Sequence, residues 1–122
     1  MARPKESSPI KTVNLKSDLP SVREALSRLD RGLAVARQDR MTFLKIVHGY
    51  GSSGVGGDIR IAVQKRLFEL AEGGQIRGCV FGDNWSKSDD TTWRLLQEHP
   101  ELKNDTDLGR GNAGITIVIL GG

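Results

Sequence analysis

The sequence predicts an α/β (α+β) two-layer sandwich, in which a four-stranded mixed sheet built in the order β-α-β-α-β-β carries two main helices on one side. Three observations predict it. Short runs rich in β-branched residues alternate with two amphipathic stretches at helical spacing. Turn and capping residues separate them, and the closing run Ile115-Thr116-Ile117-Val118-Ile119-Leu120 is apolar enough to require an interior strand.

Ile10 to Leu15 alternates roughly, with Val13 and Leu15 pointing one way, and reads as the first strand. Asp18 suits an N-cap and Pro20 an early helical position, which places a helix from about Pro20 to Arg37. Its buried stripe is Val22, Ala25, Leu26, Leu29, Leu33 and Ala36, and Glu24 stands four residues before Arg28, the spacing of a weak ion pair. Met41 to Val47 is almost continuously apolar, broken by Thr42 and Lys45, and suits a strand covered on both faces. A second helix follows from Asp58 to Ala71, stopped by Gly73-Gly74. Ile76 to Phe81 is a third strand, with Gly78 marking a bulge or a close contact.

From Asp83 to Asn112 the chain turns polar and acidic. Ser88 or Asp89 caps a short helix over Thr91 to Glu98 that buries Trp93 and Leu96, and His99-Pro100 ends it. The rest of 83–112 reads as a long, partly ordered excursion before the last strand, which is expected to run antiparallel. Residues 1–9 read as a disordered arm and residues 10–122 as one domain. Right-handed crossovers set both main helices on one face, and the carboxyl ends of the strands gather Lys16, His48 and Asp83 at one edge.

Composition narrows the function classes. Apolar residues make up 37% and charged residues 27%, with no apolar run of membrane-spanning length, so no membrane is expected. One cysteine and two histidines give neither an internal disulfide nor a structural zinc set, and a cytoplasmic setting is expected. Residues 1–82 hold 14 Lys and Arg against 8 Asp and Glu, whereas residues 83–122 hold 4 against 7. A basic body with an acidic segment allows an anionic partner on one side, although such a bias usually means only a solvated surface.

The glycine-rich stretch between the second strand and second helix is the candidate working site. Gly49-Tyr50-Gly51-Ser52-Ser53-Gly54 matches G-x-G-x-x-G, but the acid at the next strand end, Asp83, stands 34 residues beyond Gly49 rather than about 20, the chain lacks strands for a six-stranded sheet, and no nucleotide cofactor is expected. Nor is it a P-loop, since Gly56-Gly57 precedes Asp58 rather than Lys-Ser/Thr. A hydrolase reading with His48 as base and Ser52 or Ser53 as nucleophile lacks a third group to orient the histidine. Two readings remain: a plain flexible turn, or backbone N–H groups of Gly51 to Gly57 aimed at an anion from a helix N-terminus, although Asp58 competes for that positive end. Lys16, His48, Tyr50 and Arg60 then supply the charge, hydrogen bonding and stacking that RNA recognition uses.

The run Ile46-Val47-His48-Gly49-Tyr50-Gly51-Ser52, the helix carrying Ile59-Arg60-Ile61-Ala62-Val63, and the closing Gly114-Ile115-Thr116-Ile117-Val118 together resemble the small MutS-related (Smr) domain. The resemblance covers about Ile10 to Leu120. It implies a fold similar to the carboxyl-terminal domain of translation initiation factor three, binding of DNA or RNA, and in several members endonuclease activity.

The first-strand motif of that family, Leu-Asp-Leu-His-Gly, reads Val13-Asn14-Leu15-Lys16-Ser17 here. Asn14 keeps the shape of an aspartate without its charge, and Lys16 is no neutral base near pH 7 but suits a phosphate. The expectation is therefore a nucleic-acid-binding domain, RNA ahead of DNA, using Lys16, His48, Gly49, Tyr50, Gly51, Ser52, Ser53, Gly54, Arg60 and Arg110. Two alternatives stay open. One is an endonuclease with His48 as its acid or base and a divalent cation held by Asp18, Asp58 or Asp83. The other is a protein-interaction module. Of the two tryptophans, Trp93 is expected in the core, and Trp85 is balanced between core packing and base stacking.

Overall fold

The computed structural model describes residues 10–18, 20–50 and 55–121, with the side chains of 55 and 56 left aside. The expected arm, residues 1–9, lies outside them. The elements are β1 (Ile10–Asn14), α1 (Val22–Gln38), β2 (Phe43–Val47), α2 (Val55–Glu72), β3 (Gly78–Phe81), α3 (Asp90–Glu98) and β4 (Ile115–Ile119), with 3-10 turns at Gly82–Asn84 and Pro100–Asn104. The sheet order is β1-β2-β4-β3. β1 and β2 are parallel, and β4 runs antiparallel to both β2 and β3, as expected for the last strand. Among the described residues no helix is long and apolar enough to cross a membrane.

Alternation along the strands divides the interior in two. On one face, Leu15, Leu44, Ile46 and Val118 meet the stripe Ala25, Leu29, Leu33, Ala36 of α1 and Ile59, Val63, Leu67 of α2. This is the two-layer sandwich that the periodicity predicts. Phe43, Val80, Ile115 and Ile117 point the other way and meet Trp85, Leu96 and Leu102. The 83–112 segment thus covers the second face.

Three local readings are corrected by specific bonds. Ser21, not Asp18, caps α1: its hydroxyl accepts the Glu24 N–H at 3.1 Å, and the Glu24 carboxylate accepts the Ser21 N–H at 2.9 Å. That reciprocal cap claims the Glu24 carboxylate, and Arg28 donates to the Ser17 carbonyl at 2.9 Å instead of forming an ion pair. Asp18 itself sits in the turn before the helix at φ 66°. Helix α2 begins at Val55, so Gly56 and Gly57 belong to its first turn.

The third correction concerns the tryptophans. Asp89 caps α3 by accepting the Thr92 N–H at 3.0 Å, and the Thr92 hydroxyl donates to the Asn84 carbonyl at 2.8 Å. These bonds turn Thr92 and Leu96 inward and leave Trp93 52% exposed. Trp85 is the buried one, donating its indole N–H to Asp105 at 2.9 Å.

Candidate nucleic-acid interface

Parallel β1 and β2 end at the same edge of the sheet, and antiparallel β4 begins there, with Asn14 opposite Val47 and Val47 opposite Ile115. Topology alone therefore brings together the turn after β1, the glycine run after β2 and the turn before β4. Lys16, His48-Gly49-Tyr50 and Arg110 lie on these three segments, and Arg60 belongs to the early turns of α2. Gly51, Ser52, Ser53 and Gly54 lie outside the described residues.

Asn14 shapes the first turn. Its carboxamide oxygen accepts the N–H of Lys16 at 2.9 Å and of Ser17 at 3.0 Å, bonds an aspartate could equally make. Lys16 is exposed, and its stem lies over Gly49, where an added Cβ would stand 3.5 Å from Lys16 Cδ. Gly49 has φ +84°, a left-handed conformation that costs a side-chain-bearing residue about 1 kcal/mol or more. The N–H groups of both His48 and Gly49 donate to the Gly114 carbonyl at 3.0 Å, tying the glycine run to the start of β4.

His48 is buried, 1% exposed, at the top of the α1/α2 face. Its Nδ1 lies 2.9 Å from the Gly49 carbonyl, which can only accept, so Nδ1 carries the proton; Nε2 then accepts from the Thr116 hydroxyl at 2.9 Å. Burial lowers the pKa of His48, the bond to the Gly49 carbonyl acts upward against it, and the nearby Arg60 charge lowers it again. The ring is therefore a neutral hydrogen-bonding strut, with both nitrogens engaged inside the protein. Tyr50, two residues on, is 60% exposed.

The turn before β4 is held from below. Lys45 stands on the second face of β2 and pairs with Asp105 and Asp107, each at 2.7 Å, with only 8% of its side chain exposed. Burial pulls the Lys45 pKa down, but hydrogen bonds and charge from the two aspartates outweigh it and leave it raised. The Asp107 pKa is held low by the Lys45 bond and then by Asn112, whose carboxamide N–H donates to it at 2.9 Å. Asn112 Oδ1 accepts the Gly114 N–H at 2.8 Å, and Gly114 reaches His48 and Gly49 through its carbonyl. A continuous path of polar contacts thus runs from a buried ion cluster to the glycine run. Gly82 packs beneath this turn so closely that an added Cβ would stand 1.8 Å from the Asn112 carbonyl oxygen.

No protein-family model and no curated protein sequence matches the chain. Among solved structures it is similar to the crystal structure of the Smr domain of Thermus thermophilus MutS2, with a TM-score of 0.57 and 21% identity over 92% of this chain and 99% of that one. The chain has an Smr-domain fold. The likeness is one of backbone path, and the side chains at the edge must be read for themselves.

Within this Smr fold, the edge brings together Lys16, His48, Gly49, Tyr50 and the turn carrying Arg110, with Arg60 near enough to act on the His48 ring. Lys16, Arg60 and Arg110 form no ion pair among the described residues. Asp18, Asp58 and Asp83 are not gathered: no group of three or more His, Cys, Asp or Glu side chains that could hold a metal ion occurs among the described residues. The sequence reading missed Gly82, Asn112 and Thr116. A signal existed for Thr116, the one polar residue in the last strand, and for Gly82 and Gly114, glycines at strand ends.

Proposed function

We propose that this Smr-fold chain binds nucleic acid, RNA ahead of DNA, through the edge formed by the ends of β1 and β2 and the start of β4. What supports the reading is an edge that carries exposed Lys16, with Arg60 close enough to act on the His48 ring and Arg110 on the turn before β4, around a His48-Gly49 backbone tied to Gly114 and beside an exposed tyrosine. Cations on a fixed frame suit phosphates, which dominate affinity for nucleic acid. An exposed aromatic rewards an unstacked base, the usual target in RNA loops and single strands. The implication of the Smr resemblance points the same way.

Binding is the reading rather than cleavage because His48 spends both ring nitrogens on protein partners, and the neighbouring strand end offers Asn14 and Lys16 in place of a carboxylate and an imidazole. The test is a panel of single-stranded, hairpin and duplex RNA and DNA titrated across a salt series, on wild type beside Lys16→Ala, Arg60→Ala and Arg110→Ala. Affinity is expected to fall steeply with salt, and each variant to flatten the log–log slope by about one contact. Absent binding, or a salt response unchanged in all three variants, overturns the reading. Nicking with magnesium or manganese that disappears in His48→Ala would instead establish the endonuclease alternative.

A further inference from the structure

We propose that the free edge of β3 is a homodimer interface, at which two copies of the chain join their sheets antiparallel into one sheet of eight strands. Among the described residues β3 stands at one end of the sheet and pairs only with β4, so alternate N–H and C=O groups face outward without a strand partner there. The opposite edge is guarded. β1 carries Lys11, paired with Asp39 at 3.7 Å, beside exposed Thr12 and Asn14. β3, Gly78-Cys79-Val80-Phe81, holds no charge, proline or long polar side chain.

The ground along β3 is concave and partly apolar. A cavity of about 180 Å³ beside β3 is lined by Phe68 of α2, by Cys79 and Phe81, and by Asn84, Asp89 and Thr91 around the start of α3. Phe68 is 55% exposed, its ring edge-on to Phe81 at 5.6 Å between centroids. Ile61, two helical turns earlier on the same line of α2, is 67% exposed. A two-fold axis normal to the sheet through β3 keeps like faces together. It therefore lays the two α2 helices side by side and covers Phe68 and Ile61 of both copies.

Charge selects a second copy as the occupant over a foreign strand. Arg77 immediately precedes β3 and Asp83 follows it by two residues; both are exposed and neither has an ion-pair partner among the described residues. An antiparallel register centred on Val80 sets each copy's Arg77 beside the 3-10 turn that carries the other's Asp83, so one contact becomes two by symmetry. Such rim pairs fix register and orientation more than affinity, which comes from the strand bonds and the buried phenylalanines.

Light scattering and sedimentation of the full chain over a range of concentrations test this directly. The weight-average mass is expected to rise from one chain to two. Gly78→Lys puts a charge on the edge at a position where an added Cβ meets no atom within 4 Å, and Phe68→Glu charges the flanking helix. Both are expected to remain monomeric with an unchanged far-UV circular dichroism spectrum. Arg77→Asp is expected to weaken the dimer roughly tenfold or more, and Arg77→Asp with Asp83→Arg to restore it. A wild type monomeric at every concentration, or a dimer that survives both Gly78→Lys and Phe68→Glu, overturns the interface; a charge swap that fails to restore overturns the register.

Discussion

The two faces of the sheet solve the same burial problem with different chemistry. Under α1 and α2 the contacts are leucine, isoleucine, valine and alanine, and the polar exception, His48 with Thr116, sits at the edge. Under the 83–112 segment, apolar residues surround a cluster in which Lys45, Asp105, Asp107 and the Trp85 indole satisfy one another. A regular helix needs only a stripe to stay in place. An irregular segment presents few aligned apolar side chains, and charge pairs with defined geometry fix where it lands.

The largest expected effect tests that difference. Lys45→Met leaves two carboxylates in a poorly hydrated place without their cation, at a cost of about 3–5 kcal/mol. Leu67→Ala on the first face removes buried methyl groups for a comparable ~2–5 kcal/mol. Urea titrations at several pH values separate the two. The Leu67→Ala deficit should stay flat, since nothing titratable is touched. The Lys45→Met deficit should shrink as pH falls through about 4 and below, because wild type there loses the benefit of its lowered Asp107 pKa. Adding Asp105→Asn and Asp107→Asn should recover much of the loss at pH 7; a triple variant no better than the single would show that the charges do not organise this face.

Gly82→Ala comes next. The new methyl would meet the Asn112 carbonyl oxygen at 1.8 Å and the Ile115 side chain at 2.9 Å, so backbone on the second face must move, for roughly 1–3 kcal/mol. Because the strained atom belongs to the turn that leads to Gly114, nucleic-acid affinity should fall with stability. Gly78→Ala, which meets nothing within 4 Å, is the matched control and should leave both unchanged.

This contrast also explains what could be read from residues alone. The first face was legible because Leu29, Leu33, Val63 and Leu67 recur at helical spacing and the strands alternate, patterns local to each element. The second was not. Lys45 looks like a flaw in an apolar strand until Asp105 and Asp107 arrive from sixty residues away, and Trp93 looks buried until Asp89 and Thr92 set the rotation of α3. The candidate site divides likewise. Lys16, His48 and Gly49 could be placed because strand ends follow from topology, whereas Asn112 acts through a contact with Asp107 that no spacing announces.

Acid should reach the first face before the second. With its folded pKa lowered, His48 contributes stability in full above its unfolded value of about 6.5, and that contribution is lost as pH falls from there through the folded value. Asp107, also lowered, gives way only below about pH 4. Between pH 7 and 5, wild type should lose more in melting temperature than His48→Asn, which has no proton to take up at that position. Equal losses in the two proteins would mean that the His48 ring already accommodates its charge, and would return it to consideration as an acid or base.

The smallest effect on stability should be the most informative about function. Lys16→Ala removes an exposed side chain that forms no ion pair among the described residues, so its unfolding free energy should stay within about 0.5 kcal/mol of wild type. Its turn is held by Asn14 through backbone N–H groups, which the substitution leaves untouched. Any loss of nucleic-acid affinity must then come from the missing charge, and should appear as a log–log salt slope shallower by about one, uniform across sequences. Lys16→Arg keeps the charge and should keep the slope. If Lys16→Ala binds as wild type while Arg110→Ala does not, the interface is centred on the turn before β4, and the second face, which holds that turn through Lys45 and Asp107, governs it.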